Sequence, residues 1–156
     1  MKPGARWHTR EDSGLRLDPD GQLWHDGERI ENENVSRAFH RGLERAPDGR
    51  YLIRFGPDWA FLAVDDAPYQ VLGLFIAGEA ISLRLDDETQ APLDPAALSV
   101  SEAGVLYARV RGACEARFSR AAQGQLAPLL SDDGGTWVLR LGAAAFPVKP
   151  RVHSGG

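Results

Sequence analysis

Short runs of alternating apolar and polar residues predict that much of this chain forms short β-strands. In the segment 80–85, AISLRL, branched apolar residues alternate with serine and arginine. This period of two is typical of a strand with one buried face. The segments YLIRF (51–55), WAFLAV (59–64) and TWVLRL (136–141) are also rich in strand-forming residues. The pattern therefore predicts many short strands joined by turns.

The segment 14–30 predicts a three-stranded meander. Asp20-Gly21 and Asp26-Gly27 separate its apolar stretches, and Asp-Gly pairs accept the positive φ of tight hairpin turns. The aspartates also suggest a calcium loop as an alternative. An EF-hand, however, needs oxygen ligands at alternate positions before its glycine and a glutamate six residues after it. The residue six positions after Gly21 is a glycine, so turn chemistry is the better interpretation.

Two segments have the spacing of amphipathic helices. In the first, residues 31–49, Asn34 or Asn32 caps the helix, and Pro47 with Asp48-Gly49 ends it. Its apolar face is Val35, Ala38, Phe39, Leu43 and Ala46, and its solvated face is Arg37, His40, Arg41, Glu44 and Arg45. The second predicted helix, residues 113–130, has the apolar face Cys114, Phe118, Ala121, Ala122 and Leu129. The predicted strands and helices together indicate an α+β fold.

The two halves of the chain repeat the same order of predicted elements. The turn glycines are spaced almost equally, from Gly21 to Gly49 and from Gly104 to Gly134. This predicts two similar lobes, each a curved antiparallel sheet with one helix. The expected parts are a flexible N-terminal segment (1–13), an N-terminal lobe with a connecting hairpin (14–85), a linker or loop (86–97), a C-terminal lobe (98–148) and a flexible tail (149–156).

Composition and charge argue against several classes of function. Of the 156 residues, 43% are hydrophobic and 26% are charged, which is ordinary for a globular domain. The formal net charge is -4, whereas nonspecific nucleic-acid binding depends on clustered positive charge. The single cysteine cannot form an internal disulfide, and the N-terminal sequence lacks the apolar core of a signal peptide. We therefore expect no nucleic-acid or membrane partner, and a cytoplasmic location.

Two adjacent carboxylates, Asp65 and Asp66, follow the strand WAFLAV and precede Ala67-Pro68-Tyr69. Neighbouring strand residues point to opposite faces, so these carboxylates cannot act together on one substrate. Proline also restricts the residue before it, and aspartate accepts local backbone N–H bonds. The stretch is therefore interpreted as a turn, in which Asp66 is the better candidate for a functional role.

The other reactive residues form no recognised catalytic or metal-binding pattern. The histidines lack HxH or HExxH spacing, and a lone cysteine such as Cys114 on an apolar face is more often a core residue. Glu115 and Arg120 are five positions apart on the predicted helix and do not face each other. We expect Arg111 or a turn as the partner of Glu115 and a carboxylate as the partner of Arg120. No catalytic residue, metal or cofactor is predicted.

An ordered set of residues from Leu15 to Val148 resembles the bacterial family of unknown function numbered 1285. The matching residues are Leu17-Asp18, Asp20-Gly21, Trp24, Gly27, Ile30, Val35, Phe39, Leu43, Asp48-Gly49-Arg50-Tyr51, Val64, Asp66, Ala67-Pro68-Tyr69, Arg111-Gly112, Glu115-Ala116, Arg120 and Phe146-Pro147-Val148. The resemblance implies an α+β fold with repeated motifs and a suggested role in signalling. The segments FGPDWAF and RLGAAAF depart from the family pattern.

The function expected from the sequence is a noncatalytic binding or regulatory module. The alternatives are an enzyme of unknown class with a polar site between the lobes, or a structural subunit of a homo-oligomer. The partner is expected to be a protein or a small molecule. The candidate ligand or inter-lobe contacts are Asp66, Tyr69, Arg111 and Glu115. The predicted core comprises Phe39, Leu43, Leu52, Phe61, Leu83, Leu106, Phe118, Trp137 and Leu139.

Overall fold

The computed structural model describes residues 11–55 and 57–152. Sheet makes up 47% of the structure, accompanied by two short helices, so the fold is α+β as predicted. The chain divides into two compact units, one ending at Asp66 and the other beginning at Ala67. Within the described ranges, no helix is long and apolar enough to cross a lipid bilayer.

In its described residues, 11–55 and 57–66, the unit that ends at Asp66 holds one sheet and one helix. Its elements are β1 (Leu15–Leu17), β2 (Leu23–His25), β3 (Glu28–Arg29), α1 (Glu33–Arg41), β4 (Leu43–Arg45), β5 (Tyr51–Phe55) and β6 (Asp58–Val64). The sheet order is β3-β2-β1-β6-β5-β4, with β1 parallel to β6 and the other neighbours antiparallel. The pairing of β1, β2 and β3 confirms the predicted meander.

The first turn of this meander lies at the predicted Asp20-Gly21 pair, where Gly21 has a φ of 84°, and it is held by the side chain of Asp18, which the sequence did not indicate for this role. The Oδ1 of Asp18 accepts hydrogen bonds from the backbone N–H groups of Asp20 at 2.9 Å and Gln22 at 2.8 Å. Its Oδ2 accepts a bond from the indole N–H of Trp24 at 2.8 Å. Although partial burial opposes it, these hydrogen bonds lower the pKa of the Asp18 carboxyl. Both oxygens of the Asp18 carboxylate therefore accept hydrogen bonds that stabilise the turn.

Helix α1 is shorter than the sequence predicted. The side chain of Asn32 caps it by accepting from the N–H groups of Asn34 and Val35. The helix stops before Gly42, whose carbonyl accepts the N–H of Arg54 at 2.9 Å. Pairing with β5 thus replaces the helical bonds that would have continued the helix to position 47.

Two residues assigned to this predicted helix have different environments in the structure. Leu43 is buried as predicted, but it belongs to β4 and pairs with Ile53. His40 was predicted on the solvated face and is buried, with its Nδ1 3.0 Å from the carbonyl oxygen of Ser36. Leu43 was assigned to the helix because the apolar period continues past Gly42, whereas His40 lies within α1 and its burial follows from packing that the period does not show.

Over residues 67–152, which the structure describes, the unit that begins at Ala67 holds two sheets and one α-helix. Its elements are β7 (Tyr69–Ala77), β8 (Ala80–Leu85), β9 (Gln90–Pro92), β10 (Ser99–Val100), β11 (Leu106–Arg109), β12 (Glu115–Phe118), α2 (Arg120–Leu126), β13 (Leu130–Asp133), β14 (Thr136–Leu141), β15 (Ala144–Pro147) and β16 (Lys149–Pro150), with 3₁₀ turns at Pro95–Ala97, Arg111–Ala113 and Ala127–Leu129. The larger sheet has the order β16-β10-β11-β12-β7-β8-β9, parallel at β16–β10 and β12–β7. Strands β13, β14 and β15 form a separate meander.

The second predicted helix, residues 113–130, is wrong in its first half. Residues Glu115–Phe118 form β12, which pairs with β11 on one side and β7 on the other. Ala116 and Phe118 are buried on one face of the strand. The helix begins only after Ser119, whose hydroxyl accepts the N–H of Ala122 at 3.1 Å. Cys114 is buried in the turn before β12 rather than on a helix.

The segment 86–97 is also more ordered than predicted. It contains β9, which pairs with β8, and a 3₁₀ turn capped by Asp94. Asp87, Ala91 and Leu93 are buried. The segment therefore contributes to the sheet and the core, although its sequence has the composition of an exposed loop.

Most of the predicted core is buried in the structure. Leu43, Leu52, Leu83, Leu106, Phe118 and Leu139 are buried, whereas the aromatic residues Phe39, Phe61 and Trp137 are half-buried. Tryptophan is rarely enclosed completely, whereas phenylalanine usually is, so the half-burial of Phe39 and Phe61 departs from the predicted core.

Candidate functional site

The hairpin between β11 and β12 presents Arg111 at its turn. The N–H of Val110 donates to the carbonyl of Cys114 at 2.7 Å, and the N–H of Cys114 donates to the carbonyl of Arg111 at 3.1 Å. Between them, Gly112 and Ala113 both have left-handed backbone angles, with φ of 61° and 64°. A left-handed alanine costs roughly 1–2 kcal/mol. Backbone strain is thus stored at Ala113, two residues after Arg111.

Arg111 is anchored on a buried carboxylate. Its Nη2 donates to Asp87 Oδ2 at 2.6 Å and to Thr89 Oγ1 at 2.8 Å, and the Thr89 hydroxyl donates to Asp87 Oδ1 at 2.5 Å. The Asp87 side chain is 1% exposed, whereas that of Arg111 is 48% exposed. The guanidinium carbon also lies 5.5 Å from the ring centroid of buried Tyr69. One part of Arg111 is therefore held by protein, while the rest is open to solvent.

The environment sets the charge of each member of this cluster. Burial raises the pKa of the Tyr69 phenol, so the ring stays neutral at physiological pH. Burial also opposes ionisation of Asp87, but hydrogen bonds from Thr89 and Arg111 outweigh it and lower the pKa of that carboxyl. The cluster therefore combines a neutral phenol with a guanidinium–carboxylate pair.

Glu115, another predicted site residue, forms a different pair. Its carboxylate accepts from Arg151 Nη2 at 3.1 Å and Nε at 3.4 Å. The two side chains are 15% and 7% exposed, respectively, and the Arg151 guanidinium lies 3.8 Å from the ring centroid of Tyr107. The partner is thus Arg151 and not Arg111 as expected. No described carboxylate pairs with Arg120, which is exposed at the start of α2.

The two aspartates of the interpreted turn connect β6 to β7. Asp65 accepts a hydrogen bond from Arg16 at 2.5 Å, and its N–H donates to the carbonyl of Leu17. Asp66 is the last residue of the first unit, whereas Tyr69, Arg111 and Glu115 belong to the second. In the part of the chain that the structure describes, no group of three His, Cys, Asp or Glu residues could hold a metal ion.

A second surface, which the sequence did not indicate, surrounds Phe75 on β7. The side chain of Phe75 is 72% exposed, and the neighbouring Ile76 and Leu72 are 43% and 37% exposed. Two shallow cavities adjoin Phe75, with volumes of about 280 and 350 Å³. The smaller is lined by Ala77, Ala80, Ile81, Ser82, Gln90, Ala91 and Pro92, and the larger by Leu72, Gly73, Leu74, Ser82, Arg84, Gln90, Ala121 and Gln125. Phe75 and these two cavities are termed the Phe75 groove.

Comparison with solved structures identifies the architecture. A DUF1285 family protein from Silicibacter pomeroyi DSS-3 matches with a TM-score of 0.75 and 21% identity, over 90% of this chain and 81% of that chain. This chain has a DUF1285-like fold. A DUF1285 family protein from Shewanella baltica OS155 shares the DUF1285-like fold with a TM-score of 0.61 and 13% identity, over 69% of this chain and 85% of that chain.

The DUF1285-like fold supplies an arrangement of elements but no chemistry. Neither neighbour is described by an activity, a substrate or a partner. No protein-family model matches the sequence, and no curated protein does. Function in this DUF1285-like chain has therefore to be argued from its own surfaces.

Within the DUF1285-like fold, sequence reasoning missed Asp87, Thr89 and Arg151. One local signal for Asp87 was available, because an aspartate side chain commonly accepts the backbone N–H two residues further along the chain. The N–H of Thr89 donates to Asp87 Oδ1 in this way, at 3.2 Å. Arg151 falls in the predicted flexible tail, and nothing local marked it as the partner of Glu115.

Proposed function

We propose that this protein is a noncatalytic binding module that contacts a protein partner through the Phe75 groove. The observation that carries the proposal is the 72% exposure of Phe75 beside two apolar-lined cavities. Large apolar side chains grouped on a surface commonly mark interaction sites. An aromatic anchor next to small pockets is also the arrangement in which binding energy concentrates at protein interfaces.

The pairing of the polar residues near the candidate site supports a binding role rather than a catalytic one. Glu115 and Asp87 each form a charge pair with an arginine, and both carboxylates are thereby engaged. A general acid or base has to reach the proton that it transfers, with a pKa near the working pH. The lowered pKa of Asp87 moves that carboxyl away from this range.

Replacing Phe75 with Ser is expected to abolish partner binding while leaving the fold stable. A peptide library displayed on phage and selected on the wild-type protein supplies the probes, whose affinity is measured on both proteins. Because the ring is largely exposed, its removal should change the free energy of unfolding by no more than about 0.5 kcal/mol. Val152→Ser is the matched control, since Val152 is 83% exposed in the same unit and outside the groove. Selected peptides that bind Phe75→Ser as well as wild type would contradict the proposal.

A second candidate is a small anionic ligand at Tyr69 and Arg111. It is favoured by the half-exposed guanidinium of Arg111, whose two hydrogen bonds to described residues both come from Nη2. Arginine pairs readily with carboxylate or phosphate groups. The competing interpretation is that Arg111 only stabilises the fold by pairing with Asp87.

Arg111→Met distinguishes these two roles. If Arg111 is structural, the variant should lose about 1–3 kcal/mol at pH 7, because buried Asp87 loses a charged donor. Since the folded-state pKa of Asp87 is lowered, the loss of stability in Arg111→Met reaches its full size at pH values above the ordinary pKa of aspartate. It disappears as pH falls through the folded-state pKa. Urea unfolding at several pH values measures this difference, with exposed Arg109→Met as the control.

The ligand role makes a separate prediction for the same variant. Inorganic phosphate should then shift the amide NMR signals of Gly112 and Ala113 in wild type and not in Arg111→Met. A variant with unchanged stability at every pH would contradict the structural role. Wild-type amide signals that do not shift when phosphate is added would contradict the ligand role.

We further propose that the module acts in the cytoplasm as a regulatory or signalling component and that its halves derive from a repeat. The repeat is supported by the shared order of three strands, a helix and three strands in 15–64 and 99–147. In the first unit these strands join in one sheet, whereas β13, β14 and β15 are separate from β10, β11 and β12. Superposition of 15–64 on 98–148 tests it.

A further inference from the structure

The larger cavity of the Phe75 groove is lined by two polar side chains, Arg84 and Gln125, that both lie close to Gly73. A Cβ placed on Gly73 would lie 3.3 Å from Oε1 of Gln125 and 3.4 Å from Nη2 of Arg84. The absence of a side chain at this position therefore leaves room for both polar groups against the strand. Gly73 is itself buried beneath them.

Both side chains offer hydrogen-bond donors. Oε1 of Gln125 accepts the N–H of Leu74 at 2.7 Å, which leaves the amide nitrogen as the outer end of that side chain. Arg84 is exposed, and no described residue forms a hydrogen bond or an ion pair with it. The residues that line the groove include no acid. A guanidinium and an amide N–H₂ thus stand as donors on an otherwise mostly apolar surface.

We propose that the Phe75 groove binds an extended peptide in which an acidic side chain lies close to a large apolar one. Arg84 and Gln125 receive the carboxylate, and the apolar side chain packs on Phe75 over the cavity lined by Ala77, Ala80 and Pro92. This deepens the proposed function and rests on it. Charge complementarity carries the argument, because an arginine set in an apolar groove is best matched by a carboxylate.

The shape of the groove favours a peptide over a compact ligand. Phe75 borders both cavities, so one small carboxylic acid would occupy only one of them. Side chains on the same face of an extended chain recur about every 7 Å. A peptide can therefore place an acidic residue in the larger cavity and an apolar residue in the smaller one.

The test uses the full chain and a random peptide library displayed on phage. Selection on wild type, followed by removal of phage that bind Phe75→Ser, should enrich sequences with Asp or Glu within two residues of a large apolar residue. Enriched peptides are synthesised with amidated C-termini, so that only side chains supply a carboxylate. Their dissociation constants are then measured by fluorescence anisotropy.

Arg84→Met should weaken these peptides at least tenfold, and Asp→Asn or Glu→Gln in the peptide should weaken binding to wild type equally. Combining the two changes should weaken binding little more than either change alone, because both remove the same contact. Arg140→Met is the control, since Arg140 is another exposed arginine of this unit and hydrogen-bonds to Ser131 instead. Thermal unfolding of each variant checks that the fold is retained.

The possible failures separate the two proposals. Peptides that require Phe75 but bind Arg84→Met with unchanged affinity would overturn the acidic-peptide inference and leave the proposed function standing. Selection that yields no Phe75-dependent peptide would overturn both. A dimer that forms with rising concentration in sedimentation velocity, and is lost in Phe75→Ser, would make a second copy of this chain the occupant and overturn the inference.

Discussion

Replacing Arg151 with Met is expected to destabilise the protein by about 3 kcal/mol, because it leaves the carboxylate of Glu115 nearly buried without its charged partner. The two side chains are only 7% and 15% exposed and make a two-point contact. The same substitution removes the guanidinium 3.8 Å from the ring centroid of Tyr107. Urea unfolding monitored by tryptophan fluorescence measures the loss.

The partner substitution shows whether an unpaired charge is the cause. Adding Glu115→Gln to Arg151→Met should recover part of the lost stability, because a neutral amide is less costly to bury than a carboxylate. The control is again Arg140→Met, which removes an exposed arginine. If Arg151→Met changed the unfolding free energy no more than this control, the pair would make no net contribution to stability.

Truncating Leu83 to Ala is expected to cost about 2–5 kcal/mol, the range for large-to-small changes in a packed core. Leu83 is 0% exposed and lies on β8, paired with Leu74 on β7 and Ala91 on β9. Neighbours on both sides limit how far the sheet can relax around the cavity. The matched control is Leu72→Ala on β7, where the residue is 37% exposed and less buried area is lost than at Leu83.

Both variants are compared by chemical unfolding under the same conditions. Equal midpoints for Leu83→Ala and Leu72→Ala would show that β8 is not part of the cooperative core. A lower m-value in Leu83→Ala alone would instead indicate that the denatured or native ensemble has changed.

The candidate site was only partly predictable. Tyr69 and Arg111 were grouped on sequence grounds, and the guanidinium of Arg111 does lie over the ring of Tyr69. The carboxylate that holds Arg111 was missed, because Asp87 lies in an acidic, proline-containing stretch with the composition of an exposed loop. Such a stretch gives no sign that a strand, β9, will pair within it and that Asp87 will be buried.

The sequence by itself determined the features that depend on near neighbours in the chain. The Asp-Gly turns and the strand YLIRF follow from local backbone preferences and side-chain alternation, and the structure retains them. Tertiary structure decided the rest. The apolar residues of the segment 113–130 have a spacing that suits a helix, yet residues 115–118 form a strand because β11 and β7 both pair with them. In VLGLFIA both faces of the strand are apolar, so alternation cannot show which face is covered. Phe75 is left exposed because packing contacts from distant segments, and not its own neighbours, determine which side of β7 is buried.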